Sequence, residues 1–413
     1  MVEHNLSNLL QKNISTDRLD LIHRIADEAS MLGFPIHIVG GFVRDLVLGQ
    51  PSMDFDLVVE GDAIALARSL ESKYGGKATV HEKFRTAKWL MNKNSLIDLI
   101  SARSETYKHP AALPTVKMGN ISDDLRRRDF TINTLAIRLD DSHFGELHDE
   151  LGGLDDLRQG LVRVLHPRSF MDDPTRMYRA VRYEQRYGFE IVKETLALIP
   201  EARKYIPPLS AQRIRHELDL ILEEPNAGFM LSRLNELDLL KPIHPALFFD
   251  KLMGVRFETT SAIKPSNIPA RDLRWLLWLM TLLNREIVSV NKRLHFTAPL
   301  LRSLLESSEL LANLSDFANL KPSQCAERLD DLSLPAICAV ALVADVNSKQ
   351  RLEKYLSNWR YVKSKTTGND LKKLGIKPGQ KYQVILRTLK NAWLDREVKN
   401  ISEEKALLDK ILK

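Results

Sequence analysis

The chain has almost no cysteine. Cys325 and Cys338 are the only two, too few for a disulfide framework or a zinc cluster. It also lacks any apolar run long enough to span a bilayer. Its first residues, Met1-Val2-Glu3-His4-Asn5-Leu6-Ser7, show no basic stretch followed by an apolar core, which predicts no secretory signal. Together these absences predict a cytoplasmic setting with no membrane, and nothing points to a protein partner. A large excess of one charge is missing too. The formal charge is +6 and the pI about 9.1, compatible with a polyanionic partner without establishing one. No short-period repeat or low-complexity tract occurs. What remains is 413 residues of ordinary globular composition, room for roughly two to four modules.

Strand and helix signals alternate over the first 165 residues. Strands are expected at 35–39, 55–59, 78–80, 87–91, 95–99 and 161–164, and a strand-like run with some helical character at 130–137. Helices are expected at 16–32, 42–48 and 62–74. After His166-Pro167 strand signals nearly vanish. Helical periodicity appears at 173–187, 192–198, 210–222, 227–237, 271–283, 299–313, 321–332, 334–343, 350–362, 380–395 and 403–412, punctuated by Pro242, Pro245 and the segment 264–269. The fold class expected is α+β: an α/β head (1–165), then a helical neck (166–235), body (236–345) and tail (346–413) in an elongated all-α array.

The most informative stretch is Ile36-His37-Ile38-Val39-Gly40-Gly41-Phe42-Val43-Arg44-Asp45, followed by Asp54-Phe55-Asp56. The apolar run reads as a buried strand, and the glycine pair as a tight turn whose bare backbone can approach a phosphate. On a strand, residues two apart project together, so Asp54 and Asp56 would face one way near that turn. Paired carboxylates beside a phosphate cradle are what divalent-metal phosphoryl or nucleotidyl transfer requires. Either feature alone is commonplace, and a D-x-D is usually a surface turn. Their joint order is more specific.

Further motifs follow in order. Arg126-Arg127-Arg128-Asp129-Phe130-Thr131-Ile132-Asn133-Thr134-Leu135 resembles the RRDFTxNA motif of the class II tRNA nucleotidyltransferase and bacterial poly(A) polymerase family. The glycine turn and Asp54-Phe55-Asp56 resemble that family's first motif. Asp172-Asp173-Pro174-Thr175-Arg176-Met177-Tyr178-Arg179-Ala180-Val181-Arg182-Tyr183 resembles its nucleobase-reading helix, EDxxRxxRAxRF. Residues 210–218 resemble a neck motif, and 367–371 with 374–379 a tail motif. Small departures occur: Asp172 replaces a glutamate, Thr134 an alanine, and Arg85 the glycine of a Phe-Gly-Thr-Ala sequence.

The resemblance implies a nucleotidyltransferase head and a reaction that adds C and A from CTP and ATP to the 3′ end of tRNA, with Mg²⁺ as cofactor. Asp54 and Asp56 suit the metal. Asp98, on another candidate strand, reads either as a third catalytic carboxylate or as a strand-edge aspartate. Gly40, Gly41 and Arg44 are expected at the triphosphate, the arginine offering a charged fork, and Arg128 at the nucleotide. Arg126 and Arg127 read as solvated charge or contacts to RNA backbone. Asp129 and Asn133 read as supports for the arginines or as a local turn and cap. Asp173, Arg176 and Arg179 are spaced by three along a helix, with Arg182 continuing the row. Asp173 and Arg176 are expected at the base edge, and Arg179 and Arg182 at the triphosphate or behind that pair. An aspartate accepts and an arginine only donates, so the pair matches cytosine and adenine and mismatches uracil and guanine. The polar segment 104–124 reads as the mobile loop that in the family helps switch from C to A addition. The tail lysines, Lys363, Lys365, Lys372, Lys373, Lys377 and Lys381 among them, read as grips on the tRNA acceptor stem and elbow or as solubilising charge. A CC-adding enzyme, an A-adding enzyme and a poly(A) polymerase stand as alternatives within the family. A non-catalytic RNA-binding protein and a metal-dependent phosphohydrolase stand outside it.

Overall fold

The computed structural model describes residues 5–50, 56–92, 95–107, 109–112, 114–259 and 268–413. Asp54 and Phe55 therefore lie outside the described residues. Contacts divide the chain into two compact units, residues 1–210 and 211–413. The observed class is the expected one, a mixed sheet with helices followed by helices throughout.

Among its described residues the first unit contains eleven strands: β1 Ile36–Val39, β2 Asp56–Val59, β3 Lys77–His81, β4 Thr86–Asn92, β5 Ser95–Ser101, β6 Arg103–Thr106, β7 Thr115–Met118, β8 Ala136–Arg138, β9 Leu147–His148, β10 Leu161–Val162 and β11 Glu190–Ile191. Its longer helices and those flanking the site are α1 Ser7–Asn13, α2 Thr16–Met31, α3 Gly41–Val47, α4 Ala63–Tyr74, α5 Ile121–Arg126, α6 Gly153–Gln159, α7 Ser169–Asp172 and α8 Thr175–Tyr187. Seven strands form one sheet in the order β3-β4-β5-β2-β1-β8-β9. The β2–β5 pair is parallel and the other neighbours are antiparallel. All four residues of β1 are buried, as a central strand requires. On one face Val39, Val58, Ala102 and Ala136 pack with Ile121 and Leu125 of α5. On the other side α4 lies against β4 and β5.

Register decides what meets at the sheet's working end. β1 is antiparallel to β2, with Ile38 opposite Leu57, so the end of β1 at Gly40 adjoins the start of β2 at Asp56. The end of β1 also meets the start of β8, where Gly40 N–H donates to the Leu135 carbonyl at 2.9 Å. The glycine turn, the first residue of β2 and the turn Thr131–Asn133 before β8 are thus neighbours.

Two expectations need correcting here. Segment 104–124 is not a loop throughout. Its described residues include the β6–β7 hairpin and a capping box at Asn120 and Asp123 that starts α5. The helix expected at 173–187 begins at Thr175. Pro174 disfavours helical backbone in the residue before it, and Asp173 is extended, with φ −135° and ψ 96°. At its far end α8 stops on Gly188, in the left-handed region at φ 67°.

No strand occurs among the described residues of the second unit. Its helices include Lys251–Thr259 and Asn284–Leu294, neither of them expected, besides those foreseen. One core gathers Leu310, Phe317, Cys325, Leu329, Ile337, Val340 and Leu352. Near the C-terminus Leu371, Ile385, Leu389 and Leu408 form a smaller one. No helix among the described residues is long and apolar enough to cross a membrane.

Candidate active site

Asp56 heads β2 and stands opposite Asp98 in the parallel β2–β5 register. In-register residues share a face. Val58 and Ile100, two residues on, belong to the cluster under α5, so both carboxylates lie on the α5 side of the sheet. Surrounding protein and then the charge of Asp98 push the Asp56 carboxyl above the usual carboxylate range. Like charges held together resist joint ionisation, and a bound cation relieves that conflict. Lys88, on β4 opposite Asp98, provides one counter-charge, its Nζ 2.9 Å from Asp98 Oδ1.

The other wall is basic. The short α5 delivers Arg127 and Arg128 at its C-terminal end, and the fully buried Asp124 of the same helix holds both. Arg127 Nη2 donates to Asp124 Oδ1 at 2.7 Å and Arg128 Nη2 to Asp124 Oδ2 at 2.9 Å. Arg128 then lies across the glycine turn. Gly40 has φ 68°, and a Cβ built there would run into Arg128 Nη1. Gly40 is therefore required twice, by its backbone and by its neighbour. Gly41 carries no such demand, since a Cβ would sit 3.5 Å from Arg44 Nη2, in ordinary contact.

Arg44 departs most from expectation. It is only 5% exposed, and its guanidinium is engaged by protein. Nε and Nη2 reach Asp45 Oδ1 at 2.9 and 2.8 Å, and Nη1 donates to Asn133 Oδ1 at 2.5 Å. Its carbon Cζ lies 5.1 Å from the ring centre of Tyr183 and 4.8 Å from that of Tyr187.

Asn133 passes the connection on. Its Nδ2 donates to Asp129 Oδ1 at 2.8 Å, and Arg179 Nε donates to Asp129 Oδ2 at 2.6 Å. Burial alone would raise the Asp129 carboxyl. The Arg179 charge, with hydrogen bonds from Asn133 and Arg179, outweighs it and holds the group down at about 2.

At the start of α8, Arg176 is buried. Its Nη1 donates to Ser169 Oγ at 2.7 Å and Nη2 to the Arg127 carbonyl at 2.8 Å. Asp173 Oδ1 accepts from the Thr175 amide at 2.9 Å and from Thr175 Oγ1 at 2.5 Å, so it precedes the helix and bonds its first residue rather than riding on it. The hairpin approaches here as well. The Ala111 amide donates to the Met171 carbonyl at 3.1 Å, and Glu105 of β6 receives Arg127 Nη1 at 3.3 Å and the Tyr107 hydroxyl at 3.1 Å. Burial and then the Glu105 charge push Tyr107 up to about 12, so it remains a donor. Arg182 is buried, with Cζ 5.6 Å from the Tyr183 ring centre. The residues of α8 joined to the head by the contacts above are Arg176, Arg179, Tyr183 and Tyr187. They are spaced three, four and four, the true periodicity of one helix face, where the sequence suggested 173, 176, 179 and 182.

The structure thus brings Asp56, Asp98, Gly40 and Arg128 to one end of the sheet and joins them through the 126–129 segment to Arg176 and Arg179. Sequence reading missed Asp124, Glu105 and the two tyrosines. The spacing of Asp124 from Arg127 and Arg128, three and four along a helix, was the available signal. No spacing announces Tyr187, whose partner Asp45 is 142 residues away.

Residues 36–163 match the family described as "Poly A polymerase head domain", and residues 188–250 match "Probable RNA and SrmB- binding site of polymerase A". The chain is 32% identical to an A-adding tRNA nucleotidyltransferase of Halalkalibacterium halodurans, over 92% of this chain and 90% of that protein. It is 39% identical to a CC-adding tRNA nucleotidyltransferase of Deinococcus radiodurans, over 46% of this chain and 50% of that one. Among solved structures, the Thermotoga maritima CCA-adding enzyme complexed with tRNA superposes with a TM-score of 0.81 at 29% identity, covering 99% of this chain and 98% of the other. On these likenesses, together with its ordered motifs, the chain belongs to the class II tRNA nucleotidyltransferase and bacterial poly(A) polymerase family, and it is a nucleotidyl-transferring enzyme.

Proposed function

We propose that this protein adds C and A, from CTP and ATP, to the 3′ end of tRNA without a nucleic-acid template. The observation that carries the reading is the junction at Arg127. Its side chain belongs to the basic wall beside Asp56, and its carbonyl holds Arg176, the arginine assigned to the base. Chemistry on the phosphate and choice of base are therefore joined within a few residues.

Asp56, with Asp98 opposite it, offers the oxygen donors that Mg²⁺ prefers, and Asp54, two residues earlier in the sequence, is a further carboxylate of that kind. When bound, Mg²⁺ lowers the pKa of the attacking 3′-hydroxyl and neutralises charge on the leaving pyrophosphate. Arg128, lying over the Gly40 turn, supplies positive charge to the triphosphate. Arg176 donates to N3 of cytosine or N1 of adenine, and Asp173 accepts from the exocyclic amino group. Uracil and guanine present the opposite polarity and leave these groups unpaired, which is costly in a dry site. Arg179, paired to Asp129, stands behind the base-reading pair. Arg44, committed to Asp45 and Asn133, serves position rather than phosphate.

A second reading has support of its own. The A-adding relative aligns over 92% of this chain and the CC-adding one over 46%, which favours an A-only enzyme over a CC-only enzyme. Purified protein incubated with tRNAs lacking all of CCA, the last two nucleotides, or the final A, each NTP offered separately, separates the readings. Two C from CTP on the first tRNA, one C from CTP on the second and one A from ATP on the third is the expected result. Addition of A alone to the tRNA lacking only its final A establishes the second reading. No incorporation into any tRNA, with ATP tailing of generic RNA, overturns both.

A further inference from the structure

The last two turns of α8 hold a cluster that the chemistry above does not use. Tyr183 and Tyr187 stack with ring centres 6.2 Å apart, and Arg44 lies over both. The Tyr187 hydroxyl donates to Asp45 Oδ1 at 2.9 Å, the same oxygen that receives Arg44 Nε and Nη2. Burial, outweighing the opposing charge of Arg44 and reinforced by Asp45, keeps that hydroxyl protonated well above its ordinary range, so it remains a donor. Arg44 and Asp45 belong to α3, the helix that begins at the glycine turn.

We propose that Tyr187 is a positioning residue for base selection, a clasp that fixes α8 to the helix of the glycine turn and so sets where Arg176 presents its donors. The inference rests on the base-reading role of Arg176 given above. Bonds from α8 to the head include those of Arg176 to the Arg127 carbonyl, Arg179 to Asp129, and Tyr187 to Asp45. Arg176 and Tyr187 are eleven residues apart, about 16 Å along the axis. A stiff helix tied at Arg179, in its N-terminal half, turns about that tie when its far end is loosened. Loss of the clasp at the C-terminal end therefore moves the guanidinium at the other end. Base discrimination depends on hydrogen bonds that tolerate only about 0.5 Å of displacement, whereas attack on the α-phosphate draws on Asp56 and Arg128, which are not on α8. The clasp thus governs selectivity before it governs rate.

The test compares full-length Tyr187→Phe, which keeps the ring and loses the donor, with Tyr187→Leu, which also removes the face under Arg44. Leu70→Ala, a core truncation in α4 outside this network, is the destabilised control. The readout is kcat/KM for CTP and ATP relative to UTP and GTP on tRNAs of defined end. Selectivity is expected to fall about three- to tenfold in Tyr187→Phe and further in Tyr187→Leu, with cognate kcat changing less, while Leu70→Ala lowers Tm and keeps wild-type selectivity. Tyr187 variants with lowered Tm and unchanged selectivity overturn the clasp and leave the functional reading standing. A wild-type enzyme that does not prefer C and A over U and G overturns both.

Discussion

Asp129 keeps its charge where burial alone would neutralise it. The compensation comes from Arg179 and from the donors of Asn133 and Arg179, and the folded carboxyl sits at about 2 against an ordinary 3.8. The folded value lies below the unfolded one, so on acidification the unfolded chain binds the proton first. The stabilisation is complete above about pH 4 and is lost between there and pH 2, amounting to about 2 kcal/mol. Asp129→Asn is expected to lower the stability of the first unit by at least that much at pH 7, and the gap to wild type should close as the pH approaches 2. Denaturant titrations at pH 7, 4 and 2.5 check this; a gap independent of pH would refute the ion pair. At this scale the sequence was partly legible. The alternation that aligns Asp56 with Val58 follows from period two, whereas the pairing of Asp98 with Asp56 is a matter of strand register that local sequence does not carry. Arg44, expected at the triphosphate, bonds Asp45 and Asn133 and lies over two tyrosine rings. Its aromatic neighbours come from a helix nearly 140 residues later, and no local pattern encodes such a contact.

Elements were legible where one physical preference dominates. The apolar run 36–39, between Pro35 and the Gly40-Gly41 pair, forms β1, and the helices α3 and α4 came within a residue of their expected limits. The β6–β7 hairpin was missed because Arg103–Thr106 is polar throughout, and Thr115–Met118 alternates over only four residues and is mostly exposed. Asn284–Leu294 is rich in β-branched residues, which disfavour a helix, yet Ile287, Val290 and Leu294 fall on one buried face, and packing overrode propensity. The start of α8 was legible in principle, since Pro174 tells against helical backbone at Asp173. The glycine turn yields the sharpest prediction at this scale. Gly40→Ala must take a positive φ with ψ −124°, a sparsely populated backbone costing about 1 to 3 kcal/mol, and must also displace Arg128. Nucleotide incorporation is expected to fall at least about 100-fold, with Tm lowered. Gly41→Ala, whose Cβ meets nothing closer than 3.5 Å, should fold with near wild-type stability. Kinetics and melting curves of the two variants side by side check the contrast, and equal loss of stability would contradict it.

For the molecule as a whole, contacts divide the chain between Ser210 and Ala211, inside the stretch 166–235 that the sequence groups as one neck. Texture suggested the earlier boundary because strands cease there. Bonding explains the later one. Arg176, Arg179 and Tyr187 tie α8 into the head, and the parallel β10–β11 pair joins residues 161–162 to 190–191. The second unit carries its own cores, and near the C-terminus the buried Glu404 accepts from the amides of Lys365 and Thr366 and from Trp393 Nε1. Each unit therefore has the internal contacts of a folding domain. Residues 1–210 alone are expected to melt cooperatively and to keep the preference for CTP and ATP, because the carboxylates, Arg128 and α8 are all retained. They should lose efficiency on tRNA, since the lysine-rich tail would be gone, and the loss should be greatest at low salt, where phosphate contacts contribute most. Nucleotide binding and tRNA extension by the fragment and the intact chain, measured across a salt series, decide it. A fragment that folds but no longer distinguishes CTP from UTP would mean that selection depends on the second unit, and that bonding α8 to the head is not enough to place the base.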